Sequence, residues 1–208
     1  MRTRIKFCGM RRREDIEAVN RIHPDYAGFI CTERFWRYIP PEKAAELKNM
    51  LDPSIRAVGV FVDEPYEKIA RYLGEGIIDI VQLHGHEDES YIRELRDVMK
   101  ARHITAPIIK AFKVRTEEDI AQAERSTADY ILLDNGTGTG EKFDWKLIRD
   151  IGRDYFLAGG LTPDNVGGAV DRFHPFAVDM SSGLETERVK DSEKMKRAAE
   201  EVRKNDKS

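Results

Sequence analysis

DYFLAGGLTPDNVGGAVDRFHPFAVDMSSGLE, residues 154–185, is the stretch of sequence that decides the fold of this chain. The apolar run 155–158 ends at a Gly-Gly pair, and the apolar run 175–180 ends at Ser-Ser-Gly. Short apolar runs that are bounded by glycine are typical of buried strands. The stretch therefore predicts two strands, each followed by a glycine-bearing turn.

The segment between these two runs predicts a helix that connects the strands. Thr162 and Pro163 are typical of an N-cap and a first-turn proline. Strands joined by such a crossover are parallel, so their two turns lie at the same rim of the sheet. Backbone N–H groups exposed at one rim suit an anion, most often a phosphate, as at the last two strand–loop junctions of a (β/α)₈ barrel. We therefore expect a barrel enzyme that holds a phosphorylated small molecule.

Strand and helix patterns alternate along the rest of the chain, with no linker between them. Further strands are predicted at 3–7, 26–31, 55–62, 77–83, 107–112 and 129–133, and further helices at 12–21, 42–51, 65–72, 89–100, 117–125, 144–151 and 191–204. Apolar strands separated by amphipathic helices indicate a parallel sheet, and about eight such units favour closure over a six-stranded doubly wound sheet. We predict an α/β fold, a single (β/α)₈ TIM barrel, with residues 1–208 as one domain.

Composition excludes several classes of function. The chain has 35 Lys and Arg against 38 Asp and Glu, so no basic excess indicates binding to nucleic acid or to an anionic membrane. The N-terminus has too short an apolar run for a signal peptide, and no run approaches the roughly 18 residues of a membrane span. Two cysteines make no disulfide framework, which predicts a cytoplasmic protein. The sequence leaves both a monomer and a homodimer open.

Cys8 is the first candidate for chemistry, because it ends the first predicted strand. A thiol acts as a general base only as the thiolate, which needs a nearby cation. Lys6 lies two residues earlier and shares the same face of the strand, and Asp179 on the neighbouring eighth strand is its expected counter-ion. Cys8 could equally be a small buried apolar residue without a chemical role.

Asp134 ends the sixth predicted strand, after the apolar residues YILL. A carboxyl group in apolar surroundings can have a raised pKa and act as an acid. Alternatively, Asp134 caps the backbone of the glycine-rich loop that follows. That loop, residues 135–140, lacks the Gly-Lys-Ser/Thr ending of a P-loop and is predicted to be a flap over the site, with a plain connection as the alternative.

Two more side chains are candidates for contact with a ligand. Arg37 could bind a carboxylate through two hydrogen bonds, or it could stack on Trp36 or Tyr38. His84 could contact a ligand or form a hydrogen bond at the strand end. A metal site formed by both cysteines and His84 matches no zinc spacing, so no metal is predicted. Cys31 has no assigned role.

Several segments resemble the phosphoribosylanthranilate isomerase family, barrel enzymes of tryptophan biosynthesis. No single segment is decisive, but together they are specific and run along nearly the whole chain. The matching segments are KFCGM (6–10), FWRYIPPE (35–42), VGVFV (58–62), VQLHG (81–85), ILLD (131–134), GEKFDW (140–145), GGLTPDNV (159–166) and PFAVDMSSGLE (175–185).

The resemblance implies roles for individual residues. Cys8 corresponds to the general base, Asp134 to the general acid, and Arg37 to the residue that binds the anthranilate carboxylate. The resemblance also implies that the phosphate binds at Gly159, Gly160, Ser182 and Gly183, and that Gln82, His84, Asp179 and Ser181 line the pocket.

The implied reaction is an Amadori rearrangement of N-(5′-phosphoribosyl)anthranilate to 1-(2-carboxyphenylamino)-1-deoxyribulose 5-phosphate. The substrate's own iminium accepts the electrons, so no cofactor is expected. One alternative is another sugar-phosphate barrel enzyme, for which Lys110 is the only candidate for a catalytic lysine. A second alternative is a non-catalytic phosphosugar-binding subunit, although the presence of both Cys8 and Asp134 argues against it.

Overall fold

A computed structural model describes residues 2–134, 148 and 151–204, and it contains a closed barrel of eight parallel strands. The strands follow one another around the barrel in sequence order, and the first pairs with the eighth. The predicted (β/α)₈ fold is therefore confirmed. The barrel strands are β1 Arg4–Cys8, β2 Tyr26–Ile30, β3 Arg56–Phe61, β4 Ile80–Leu83, β5 Ile108–Lys113, β6 Tyr130–Asp134, β7 Tyr155–Leu157 and β8 Ala177–Met180.

The described helices follow the strands as predicted, within a few residues at each end. The flap predicted at 135–140 lies wholly outside the described residues, and the helix predicted at 144–151 lies almost wholly outside them. None of the described helices is both long and apolar enough to cross a membrane. The helices are α1 Arg13–Ile22, α2 Pro41–Met50, α3 Tyr66–Gly74, α4 Glu89–Ala101, α5 Glu117–Glu124, α6 Val166–Phe173 and α7 Ser192–Lys204.

The start of α6 differs from the prediction. The regular helix begins at Val166, three residues after Pro163, with Asn165 at the N-cap position. The Thr162 hydroxyl accepts a hydrogen bond from the Asp164 amide, but these residues form a turn that precedes the helix. The Asn165 side chain accepts a hydrogen bond from the Thr162 amide, and this bond closes the turn. Thr162 thus has the local bonding of a cap without being the residue at which the helix begins.

Alternation along β1 explains how polar groups come to lie inside the barrel. Ile5 and Phe7 are fully buried in the core between the strands and the helices. Because side chains of successive strand residues point to opposite faces, Lys6 and Cys8 point into the barrel. A second apolar cluster, which includes Tyr26, fills the barrel interior. The polar residues therefore lie above a closed apolar floor, at the end of the barrel where the strands terminate.

A hairpin between β8 and α7 was not predicted. A single 3₁₀ turn, Ser182–Leu184, is followed by two short antiparallel strands, β9 Glu185–Thr186 and β10 Val189–Lys190. Both residues of the connecting turn, Glu187 and Arg188, have positive φ angles of 52° and 64°. Such turns usually contain Asn-Gly or a similar pair, and this sequence has Glu-Arg instead. The sequence therefore offers no turn signal here.

Candidate active site

One cavity of about 270 Å³ lies at the carboxyl ends of the barrel strands. All of the site residues predicted from the sequence line it, together with apolar side chains from β2 and β3. The structure thus places them together, in the position that active sites occupy in this fold. These predicted residues are Cys8, Arg37, Gln82, His84, Asp134, Gly159, Gly160, Asp179, Ser181, Ser182 and Gly183.

Lys6, Cys8 and Asp179 meet at the junction of β1 and β8. Lys6 lies opposite Asp179 in the strand register, and its Nζ is 2.8 Å from Asp179 Oδ2. The Lys6 side chain is fully buried and that of Asp179 is 8% exposed. The ion pair expected from the sequence is therefore confirmed. Although burial acts to lower the pKa of Lys6, the interactions with Asp179 and Cys8 together outweigh it, so the pKa of Lys6 is raised.

The Cys8 thiol is buried and lines the cavity. Burial raises its pKa above the ordinary value, whereas the ammonium groups of Lys6 and Lys190 act to lower it. The cationic neighbour predicted for Cys8 is present, but burial has the larger effect on the thiol. Cys31 is completely buried, and its sulfur donates to the carbonyl oxygen of Phe29, as expected of a packing residue.

Gln82, His84 and Asp134 form a second polar group on β4 and β6. Gln82 Nε2 lies 2.9 Å from His84 Nδ1, and His84 Nε2 lies 3.4 Å from Asp134 Oδ2. If the amide nitrogen of Gln82 donates to Nδ1, the neutral imidazole carries its proton on Nε2 and directs it at Asp134. His84 thus has the hydrogen bond at the strand end that was one of its two predicted roles.

Two buried oxygen atoms in this cavity have no hydrogen-bond partner among the described residues. They are Gln82 Oε1 and Asp179 Oδ1. A buried acceptor without a partner costs about 1–3 kcal/mol. Both atoms therefore keep unused acceptor capacity beside the cavity.

Arg37 shows one of the two contacts that the sequence left open, the stacking on Trp36, and it pairs with a carboxylate of the chain itself. Its guanidinium carbon lies 4.1 Å from the centroid of the Trp36 ring, so the side chain does stack on its neighbour. Its Nε and Nη2 atoms also donate to the two carboxylate oxygens of Glu185, each at 2.8 Å. The Arg37 side chain is 21% exposed and lines the cavity.

Glu185 and Lys190, the buried residues of the unpredicted hairpin, were missed by sequence reasoning. Lys190 Nζ lies 2.7 Å from Glu185 Oε1 and donates to the Ser181 carbonyl oxygen at 2.9 Å. The Ser181 hydroxyl donates to the Cys8 carbonyl oxygen at 3.1 Å. The only sequence signal was that charged residues are frequent in the seven positions after the Ser-Ser-Gly turn, which is common on exposed surfaces.

The rim beside β7 and β8 brings the two glycine-bearing turns together. A Cβ atom added at Gly183 would lie 2.1 Å from the Leu161 carbonyl oxygen, so only glycine fits at this position. The amide groups of Ser182 and Gly183 begin the 3₁₀ turn and therefore have no partner within it. This arrangement suits the oxygens of an anion.

Lys110 lies outside this cavity. Its Nζ is 2.9 Å from Glu87 Oε2 and donates to the Gly85 carbonyl oxygen at 2.8 Å, and its side chain is 6% exposed. This ion pair lines a neighbouring cavity of about 1050 Å³, which shares Arg37, His84 and Asp134 with the smaller one. In the part of the chain that is described, no three His, Cys, Asp or Glu side chains are grouped so as to bind a metal.

Another cavity, of about 720 Å³, lies at the opposite end of the barrel. It is lined by residues such as Asp154 and Phe176, which precede β7 and β8. It contains none of the predicted site residues, and the amino-terminal end of such a barrel is associated with stability rather than catalysis. We therefore assign the candidate active site to the smaller cavity at the carboxyl end.

Comparison with known proteins gives the same family from sequence and from structure. The family model for N-(5′-phosphoribosyl)anthranilate (PRA) isomerase matches residues 5–201. The N-(5′-phosphoribosyl)anthranilate isomerase of Clostridium kluyveri is 42% identical over 203 residues, which cover 96% of this chain and 98% of that protein.

Solved structures of this family superpose closely on the chain. A phosphoribosyl anthranilate isomerase in complex with reduced 1-(o-carboxyphenylamino)-1-deoxyribulose 5-phosphate has a TM-score of 0.84 and 36% identity, covering 97% of this chain and 99% of that one. A Thermotoga maritima structure, described as monomers generated from the dimeric isomerase, has a TM-score of 0.84 and 35% identity with the same coverage. The chain belongs to the N-(5′-phosphoribosyl)anthranilate isomerase family.

Proposed function

We propose that this chain converts N-(5′-phosphoribosyl)anthranilate to 1-(2-carboxyphenylamino)-1-deoxyribulose 5-phosphate, with Cys8 as general base and Asp134 as general acid. The observation that carries the proposal is that a thiol on β1 and a carboxyl group on β6 line one cavity in a chain of this family. These strands are separated by two others around the barrel, so an acid and a base reach the ligand from different sides. A rearrangement that needs both suits this arrangement.

Asp134 acts first in this scheme. It protonates the ring oxygen of the ribose as the bond between that oxygen and C1 breaks, and the lone pair of the anilino nitrogen forms the iminium. His84, 3.4 Å from Asp134, supports the orientation of the carboxyl group. A correctly placed acid contributes about 10²–10⁴-fold to the rate.

Cys8 acts second. Its thiolate removes the proton from C2, and the two electrons of that C–H bond form the C1–C2 double bond of an enolamine. Protonation at C1 and loss of the hydroxyl proton at C2 then give the ketone. Because burial raises the pKa of Cys8, the thiolate depends on the positive charge of Lys6. The substrate supplies its own electron acceptor, so the scheme requires no cofactor.

The remaining residues hold the two ends of the substrate. Arg37 binds the anthranilate carboxylate, and the apolar side chains of Ile30 and Val60 lie in the same cavity. Gly159, Gly160, Ser182 and Gly183 bind the phosphate at the other rim. Binding energy from the phosphate, which does not react, can orient the carbons that do. Gln82, Asp179 and Ser181 line the pocket between the two ends.

The experiment that tests the proposal is an assay of the purified protein with phosphoribosylanthranilate, followed by identification of the product. Turnover to the deoxyribulose phosphate supports it. Binding of substrate without turnover would instead indicate a non-catalytic phosphosugar-binding subunit, and turnover of a different sugar phosphate would indicate another barrel enzyme.

We also propose a cytoplasmic location and either a monomer or a homodimer. Both cysteines are free and buried, which suits a reducing compartment. Gel filtration combined with light scattering distinguishes the two oligomeric states.

A further inference from the structure

The guanidinium group of Arg37 is held on one edge and one face before any ligand binds. Glu185 takes hydrogen bonds from Nε and Nη2, each at 2.8 Å, and this fixes the plane of the group. The Trp36 ring covers one face, 4.1 Å from the guanidinium carbon. The aliphatic part of the Arg37 side chain packs directly against Gly9. A Cβ atom added at Gly9 would lie 2.8 Å from Arg37 Cδ. The arginine therefore has little freedom to rotate.

The other edge of the guanidinium remains available. An arginine has five N–H donors, and the bonds to Glu185 use one on Nε and one on Nη2. Nη1 makes no hydrogen bond within the described part of the chain. The Nη1 and Nη2 edge can therefore bind a second carboxylate through two parallel hydrogen bonds.

Lys190 decides the charge of this group. Paired with Glu185 alone, Arg37 would belong to a neutral pair and would attract a second carboxylate only weakly. Lys190 Nζ lies 2.7 Å from Glu185 Oε1, and its side chain is 3% exposed. Burial lowers the pKa of Lys190, and the Glu185 carboxylate acts against this shift; with Lys190 protonated, the three side chains together carry a net charge of +1. Burial acts to raise the pKa of Glu185, but hydrogen bonds from Arg37 and Lys190 outweigh it, so this carboxyl is ionised at neutral pH.

We propose that Glu185 and Lys190 are positioning residues for substrate recognition: Glu185 aims the free edge of Arg37 into the cavity, and Lys190 supplies the charge that lets it bind a carboxylate. The inference rests on the role of Arg37 in the proposed function. Displacement of Glu185 by the substrate is the less favourable arrangement, because it would leave the buried Glu185–Lys190 pair without its third member. The hairpin β9–β10 thereby becomes part of the carboxylate site.

The test compares two ligands by isothermal titration calorimetry. The first is the reduced product analogue, 1-(o-carboxyphenylamino)-1-deoxyribulose 5-phosphate in its reduced form, and the second is the same compound without the carboxylate. Glu185→Gln raises the net charge of this group to +2 but releases the aimed edge of Arg37; we expect the loss of orientation to outweigh the added charge, so binding of the first should weaken by about tenfold, the size of one charge-assisted hydrogen bond, and binding of the second should stay unchanged. In steady-state assays the same variant should raise KM and leave kcat near wild type.

Arg37→Ala separates this inference from the proposed function. It should weaken binding of the carboxylated compound alone, and adding Glu185→Gln to it should cause no further loss. If Arg37→Ala affects both compounds equally or neither, the proposed role of Arg37 is wrong and this inference falls with it. If Arg37→Ala discriminates between the compounds and Glu185→Gln does not, only the positioning role is wrong.

Two further variants guard against effects on folding. Glu185→Gln leaves Lys190 buried without its partner, so Glu185→Gln/Lys190→Met removes the pair together. That double variant should also lose affinity for the carboxylated compound only. Glu75→Gln, which breaks the exposed pair with Arg71 on α3, is the matched control and should change neither affinity. Equal loss of both ligands in the double variant would overturn the inference.

Discussion

The two polar groups of the cavity differ in how far they are removed from water. The thiol wall, composed of Lys6, Cys8 and Asp179, is almost completely buried, with the paired lysine and aspartate side chains 0% and 8% exposed. The carboxyl wall, composed of Gln82, His84 and Asp134, includes a pair whose side chains are 29% and 22% exposed. One wall is part of the barrel interior and the other borders the opening.

Because of this difference, the protonation of the two proposed catalytic groups depends on different surroundings. On the thiol wall, low polarity strengthens each charge interaction, so the ion pair and burial together set the pKa of Cys8. On the carboxyl wall, water screens the pair and can exchange protons with Asp134. The proposed base, which must hold a charge, lies in the buried thiol wall, and the proposed acid, which must be reprotonated, lies in the more exposed carboxyl wall.

Replacing the thiol should have the largest effect. Cys8→Ser is expected to lower kcat by about 10²–10⁴-fold, because a serine hydroxyl is not appreciably deprotonated at neutral pH. Affinity for the reduced product analogue should stay near wild type. Stopped-flow or steady-state kinetics together with calorimetry measure both. A variant with the full rate would remove Cys8 from the mechanism and leave the thiol wall purely structural.

Asp134→Asn is expected to lower kcat by a similar or smaller factor, up to about 10³-fold, because water at the more exposed wall can protonate the ring oxygen in part. Single-turnover measurements of ring opening provide the check. Undiminished ring opening would show that the acid is a different residue.

Lys6→Met should lower the free energy of unfolding by about 3–5 kcal/mol, because it leaves Asp179 buried without its partner. It should also raise the pKa of Cys8 further, since the loss of a positive charge disfavours the thiolate. Alkylation of Cys8 by iodoacetamide at a fixed pH then becomes slower, and the rate keeps rising with pH beyond the point where it levels off in wild type. Urea unfolding and the pH dependence of alkylation measure these effects.

The alkylation measurements need a background in which only Cys8 can react, which Cys31→Ser provides. Lys204→Met is the matched control, because its pair with Glu201 is largely exposed on α7. If Lys6→Met and Lys204→Met give the same alkylation profile, Lys6 has no influence on the thiol.

The smallest effect is expected at the carboxyl wall. His84→Gln removes the partly exposed contact with Asp134 and also the hydrogen bond to the buried Gln82 amide, so the free energy of unfolding should fall by about 1–3 kcal/mol, less than for Lys6→Met. Urea unfolding of His84→Gln and of Lys6→Met under the same conditions compares the loss of free energy of unfolding at the two walls. A loss as large as that of Lys6→Met would mean that exposure does not distinguish them.

Periodicity made the barrel and the position of its site predictable. Strand-end residues such as Cys8 and Asp134 were assigned to one rim because parallel strands end together, and all of the predicted site residues line one cavity. Their catalytic and binding roles are still predictions. The start of α6 was misplaced by three residues, since the cap-like bonds of Thr162 close a turn instead of beginning the helix.

The partners of Arg37 could not be predicted from the sequence. Glu185 is 148 residues away along the chain, and it reaches Arg37 through a hairpin whose Glu-Arg turn carries no glycine or asparagine signal. Lys190 was equally hidden, because a charged residue after a turn is usually exposed. The contacts of Glu185 with Arg37 and with Lys190 are seen only in the tertiary structure.

The sequence by itself determined which residues form the strands, which of them face inward and which end of the barrel holds the chemistry, because these features depend on local periodicity and on parallel pairing. Tertiary structure alone decided that burial outweighs Lys6 at the Cys8 thiol, and that Arg37 is held by Glu185 and Lys190. Burial and charge pairing depend on atoms brought together from distant parts of the chain, and no local pattern encodes those distances.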